Sequence, residues 1–150
     1  MKNVAVFGAL LIGLGAAATA SAAEVEVKML NKGAEGAMVF EPSFVQVQPG
    51  DIVKFIVVDK GHNVESIETM MPEGVSPFIG KTNEELNIVL DKPGVYGVKC
   101  KPHYGMGMVG LIVVGQPDNI EKAKAAAHPG KAKQNFAKLF DTLATQVAAK

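Results

Sequence analysis

The sequence predicts an all-β sandwich or barrel with two α-helices packed on it at the C-terminal end. Three observations lead there. Short apolar segments recur at strand length, turn-forming residues separate them, and after Pro117 the pattern changes to Ala- and Lys-rich helical periodicity.

A leader precedes the first strand. Lys2, the uncharged apolar stretch Val4 to Ala18, and the small residues Ala20-Ser21-Ala22 form the pattern of a secretory signal. Residues 1–22 are therefore expected to be cleaved, leaving a mature chain that starts at Ala23. The apolar stretch is shorter than the ~18 residues of a typical spanning helix, which argues against an uncleaved anchor.

Glu24 to Leu30 alternates polar and apolar side chains, as a half-buried strand does, and Phe44 to Gln48 alternates too. Pro49-Gly50-Asp51 supplies a turn before Ile52 to Val58, a β-branched run suited to an interior strand. Leu86 to Leu90, Val95 to Lys99 and Val109 to Val114 add three strands, with Asp91-Lys92-Pro93-Gly94 turning between the first two. Asp118 and Glu121 predict a helix start, and the Ala-rich run to Ala127 ends at His128-Pro129-Gly130. From Lys131 a second helix sets Phe136, Leu139, Phe140, Leu143 and Val147 on one stripe. The helices of residues 118–150 have too little core to stand alone, so they extend the sandwich of 23–117 rather than form a second domain.

Composition narrows the function. The 150 residues suit one domain, the 15 Lys balance 15 acidic residues, and Arg is absent. No basic field or guanidinium clamp exists to follow a phosphate backbone, so no nucleic-acid partner is expected. The sandwich region holds 8 Lys and 12 acids, a net of −4, against +3 for residues 118–150.

Cys100 is the only cysteine. In an exported chain a lone thiol oxidises or pairs between molecules unless something occupies it. Cys100-Lys101-Pro102-His103-Tyr104-Gly105-Met106-Gly107-Met108 sets a thiolate, an imidazole and thioethers in one loop between two apolar strands, and His62 follows the strand Ile52 to Val58. In a sandwich the two loops can meet at one end. Two His, one Cys and one Met are the ligand set of a blue-copper electron-transfer centre, two imidazoles and a thiolate in a plane with a weak axial thioether. Gly105 and Gly107 let the loop curl and Pro102 stiffens it, which suits a site that barely moves between oxidation states. Taken singly, Cys100 reads as a buried hydrophobe, His62 as a turn residue and the methionines as core filler. His128, before a helix break, keeps its structural reading.

Gly61-His62-Asn63-Val64 and the segment Tyr96 to Gly110 resemble the cupredoxins, and among them the pseudoazurins. Met38-Val39-Phe40-Glu41-Pro42, Pro49-Gly50-Asp51 and the two terminal helices extend the likeness over nearly all of 23–150. The resemblance implies a cupredoxin-like Greek-key β-sandwich holding one type I copper per chain. It assigns His62, Cys100 and His103 as strong ligands and Met108 as the axial one, leaving Met106 outside the coordination sphere. Asn63 is then expected to lock the ligand loops, with its backbone N–H aimed at the Cys100 sulfur. His103 is expected at the solvent edge, within an apolar patch of Met38, Pro102 and Met106 ringed by Lys32, Lys60, Lys81, Lys99 and Lys101.

A monomeric periplasmic one-electron carrier follows, not an enzyme, passing electrons to nitrite reductase and exchanging them with cytochromes through transient complexes. Once the signal is cleaved, no membrane attachment is expected. A copper-trafficking protein is the alternative, though it would favour exposed Met- or Cys-rich stretches. A Cys-His thiol hydrolase and a zinc site are the other chemistries open to these residues.

Overall fold

A computed structural model describes residues 21–149, so the expected signal segment lies almost wholly outside the described residues. Among the described residues, eight strands form two four-stranded sheets. They are β1 (Glu24–Gly33), β2 (Gly36–Glu41), β3 (Phe44–Val47), β4 (Asp51–Val57), β5 (Glu65–Ser66), β6 (Leu86–Leu90), β7 (Gly94–Lys99) and β8 (Val109–Val114). One sheet has the order β2-β1-β4-β6 and the other β3-β8-β7-β5. The chain crosses between sheets after β2, β3, β4, β5 and β6, and the β1–β4 and β3–β8 pairs run parallel. This is the cupredoxin-like sandwich the sequence implied.

The six expected strands are present, with β4 between β1 and β6 as its β-branched composition required. Two more were not read from periodicity. β2 is short and starts with small residues, and β5 has only two residues, too few for a period of two to register.

Two apolar layers explain the hydrophobic runs. Val27, Met29, Phe40, Phe55, Tyr96, Val98 and Ile112 fill the space between the sheets. Val95, Val109, Leu111 and Val113 lie on the other face of β7 and β8, under Phe136, Leu139, Phe140 and Leu143. All six residues of β8 are buried because both of its faces are covered, which is why its sequence is continuously apolar rather than alternating.

The helices depart from expectation at their ends. α1 spans only Ile120–Lys124, short of Ala127, and no side chain caps its start. Asn119, which precedes it, bonds instead to β7. α2 spans Gly130–Ala148 and buries Phe136, Leu139, Phe140 and Leu143, but Val147 is exposed. The buried stripe ends at Leu143, and the last turn of α2, which carries Val147, lies beyond it.

Candidate metal centre

Strand register delivers the thiol. Tyr96 and Val98 of β7 point into the sandwich, and the period of two carries that direction to Cys100, which is fully buried. Lys101–His103 then forms a 3₁₀ turn with Pro102 in its first turn. His103 N–H donates to Cys100 O, Met106 N–H to His103 O, and Gly107 turns the chain back with φ of +96°. Met108 N–H reaches His103 O at 3.2 Å and Cys100 N–H reaches Met108 O at 3.0 Å, closing the loop on itself. Met108 is thereby buried in the same core cluster as Cys100.

His62 arrives from the segment after β4. Asn83 fixes that segment on both sides, accepting from Gly61 N–H at 2.6 Å and donating its own N–H to His62 O at 2.9 Å.

The donor atoms of His62, Cys100 and His103 lie within 4.8 Å of one another. His62 Nδ1 is 3.1 Å from His103 Nδ1, and the Cys100 sulfur is 3.8 Å and 3.6 Å from the two ring nitrogens. With bonds of about 2.0 Å to imidazole and about 2.3 Å to thiolate, an ion at the centre of a trigonal plane separates sulfur from nitrogen by roughly 3.7 Å. The two sulfur–nitrogen separations match that requirement, and the 3.1 Å between the ring nitrogens, shorter than the roughly 3.5 Å of an even plane, draws the two imidazoles closer together.

The other nitrogen of His62 shows which atom faces the ion. Nε2 lies 2.9 Å from Asn31 Oδ1, an acceptor, so Nε2 carries the proton and Nδ1 keeps its lone pair. Asn31 was not singled out from the sequence, because it lies past Leu30, where the expected strand ended, and nothing in its neighbours marks it.

Asn63 ties the two ligand segments together. Its Oδ1 accepts from Lys101 N–H at 2.8 Å, while its Nδ2 donates to Glu65 Oε1 at 3.0 Å and Gly80 O at 3.1 Å. The backbone amides of Asn63 and His103 favour the charged form of the Cys100 sulfur.

Burial pushes the Cys100 thiol up and outweighs those N–H groups, which pull it down, with the Glu65 carboxylate raising it further. Burial, and then the nearby His103, holds His62 below the usual histidine range. Without a cation the centre is a neutral thiol beside a neutral imidazole, and metal binding must displace the thiol proton.

The remaining residues expected around the site are placed as follows. His103 is half-buried, while His62 and Cys100 are fully covered. Met106 and Pro102 are exposed, and Met38, with φ of +52°, is half-buried against the core cluster that contains Cys100 and Met108. Lys32, Lys60, Lys81 and Lys101 are exposed. Lys99 differs, turning in to Glu65 at 4.0 Å and lying 5.1 Å above the Tyr104 ring.

Fold and donor set together define a class, the small cupredoxins that hold one type I copper and carry electrons. Residues 27–115 match the family described as copper binding proteins, plastocyanin/azurin family. The chain is 52% identical over 135 residues to pseudoazurin of Paracoccus pantotrophus, covering 89% of this chain and 92% of that protein. It is 47% identical over 132 residues to the pseudoazurin of Methylorubrum extorquens, covering 87% and 89%. The crystal structure of pseudoazurin from Methylobacterium extorquens AM1 superposes with a TM-score of 0.78 at 48% identity, over 80% of this chain and 98% of that one. Native pseudoazurin from Hyphomicrobium denitrificans gives 0.77 at 45% identity, over 80% and 98%. The chain belongs to this copper-binding family, in its pseudoazurin branch. It is a copper electron carrier and not an enzyme.

Proposed function

We propose that this protein is a periplasmic one-electron carrier that delivers electrons to nitrite reductase in denitrification and exchanges them with cytochromes. The convergence of the His62, Cys100 and His103 donor atoms within 4.8 Å carries the reading. Met108 would supply the fourth, weaker ligand, since the backbone bonds at Cys100 and His103 bring its residue to the two ligands of the same loop. A copper ion held there supplies a Cu(II)/Cu(I) couple. The chain's part is to present two imidazoles and a thiolate already in place, exclude water from Cys100 and His62, and leave His103 as the route outward.

The same reading has residues 1–22 cleaved and the mature chain monomeric, with 23–117 and 118–150 as one domain. Ala23 N–H donates to Asp51 Oδ1 at 2.8 Å, so cleavage after Ala22 places the new ammonium against a carboxylate. Among the described residues no helix is long and apolar enough to cross a membrane.

Partners meet the face around His103. Met38, Pro102 and Met106 form its apolar part, and Lys32, Lys60, Lys81 and Lys101 surround it. Lys99 contributes least, being held by Glu65. Lysines so placed steer the carrier to acidic faces and let the complex part quickly. The second-order electron-transfer rate is expected to fall steeply as salt is added, and a rate indifferent to ionic strength removes the steering.

The deciding experiment is an optical and EPR spectrum of the copper-reconstituted mature chain. An intense thiolate-to-Cu(II) band is expected in the visible, absent in Cys100→Ser. A colourless wild-type protein overturns the assignment. Burial of Cys100 and His62 disfavours a trafficking role, which requires ligands that an acceptor can reach.

A further inference from the structure

His128 stands outside the donor cluster, in the break between α1 and α2, yet it touches the metal-binding loop. Its Nδ1 is 2.7 Å from the hydroxyl of Tyr104, the residue after His103. Its ring packs on Phe136 of α2, with centroids 4.3 Å apart and planes at 32°. Two more bonds cross the same seam: Lys131 N–H donates to Gly105 O at 3.0 Å, and Asn135 Nδ2 donates to Gly107 O at 2.8 Å. Residues 104, 105 and 107 of the loop are thus held by residues 128, 131 and 135 of the helical extension.

The approach depends on glycine on both sides. Gly130 has φ of +51°, and a Cβ there would strike Gly105 O. A Cβ at Gly107 would come within 2.5 Å of Asn135 Nδ2. Burial keeps His128 neutral and Tyr104 protonated, so the phenol donates and the ring nitrogen accepts.

We propose that the turn between the two C-terminal helices clamps the metal-binding loop, with His128 as a positioning residue that acts through Tyr104 on its neighbour His103. This rests on the reading of residues 100–108 as the copper loop. Electron transfer is fast when ligands barely move between oxidation states. Between His103 and Met108 the loop has no strand partner to restrain it, so the clamp supplies the restraint from outside the sandwich.

The test uses the copper-loaded chain and four variants: Tyr104→Phe, His128→Phe, the double variant, and His128→Asn. Phenylalanine at 128 preserves the stacking on Phe136 and removes the acceptor, whereas asparagine restores an acceptor and loses the stacking. In the diamagnetic Cu(I) protein, amide exchange of Gly107 and Lys131 is expected to quicken about 2- to 10-fold in Tyr104→Phe and in His128→Phe. The electron self-exchange rate should fall alongside, the double variant should be no worse than either single one, and His128→Asn should be close to wild type. Wild-type exchange and self-exchange in His128→Phe overturn the clamp. So does a His128→Asn protein as impaired as His128→Phe, since stacking alone then explains the residue. The visible band of the unsubstituted protein reports the ligand assignment separately and is expected whether or not the clamp exists.

Discussion

At the scale of single residues, the centre is governed by which atoms are already committed elsewhere. His62 has two nitrogens, and the Asn31 amide oxygen removes one of them from consideration. Replacing Asn31 with Ala frees the imidazole to rotate and change tautomer, and loss of such a partner typically lowers metal affinity 10- to 100-fold. A competition titration of Asn31→Ala against a chelator of known affinity should read that loss, and wild-type affinity would show that the contact is incidental. The two methionines are distinguished by burial, since Met108 is fully buried and Met106 is half exposed. Met108→Gln is expected to retain copper while lowering the reduction potential, and Met106→Gln to leave the absorption spectrum unchanged. Equal spectral changes in both would reverse the assignment of the axial ligand. His62 and Cys100 were legible in the sequence because Cys100 is unpaired and histidines are scarce. Asn31 and Asn83 were not, because each acts on a partner far away in sequence, Asn31 through its side-chain oxygen and Asn83 through its side-chain oxygen and backbone N–H.

At the scale of elements, β7 is the beam that carries Cys100, and its outer edge is covered piecemeal. β5 covers only Lys99 and Val98 of it, and Ile67 N–H then reaches Gly97 O. Farther along, Asn119 replaces a strand, accepting from Val95 N–H at 2.7 Å and donating to Val95 O at 2.9 Å. Its sequence neighbourhood predicted a helix cap nearby, but the buried backbone of β7 outweighed an exposed helix end, since an unpaired buried amide costs more than a frayed turn. Asn119→Ala leaves both Val95 groups without partners and is expected to destabilise the fold by roughly 1–3 kcal/mol, measured by urea unfolding. A change under a few tenths of that would mean water takes over the bonds. The stripe on α2 was readable through Leu143 because 3.6-residue periodicity is a local property. Where it stops being buried depends on what the helix packs against, which no helical residue encodes.

At the scale of the whole molecule, acid sensitivity follows from histidines that the fold keeps neutral. His128, through burial, and His62, through burial and the nearby His103, both lie below the ordinary value of 6.5. Above that value folded and unfolded chains are alike in leaving them uncharged. As pH falls through 6.5 the unfolded chain takes up protons that the folded chain refuses, so stability is lost on the acid side and rises again with pH. The Tm of the copper-free protein should therefore drop between about pH 7 and pH 5, with a shallower drop in His128→Phe. An identical slope in that variant would assign the sensitivity elsewhere. The charge split predicted from composition, an acidic sandwich and a basic helical tail, bears on the same scale. It leaves electrostatic steering dependent on where the few lysines near His103 lie, because net charge alone gives no attraction to an acidic partner.

By itself the sequence determined the strand-forming segments, the two helices and the chemical identity of the donors, because alternation, helical period and residue type are written locally. It also carried the family likeness through the residues around His62 and Cys100. Only the tertiary structure decided that β8 is covered on both faces, that Asn31 selects the free nitrogen of His62, and that His128 reaches Tyr104 across the interhelical turn. Each of these depends on segments brought together by sheet order and packing, and a contact between residues distant in sequence leaves no periodic trace along the chain.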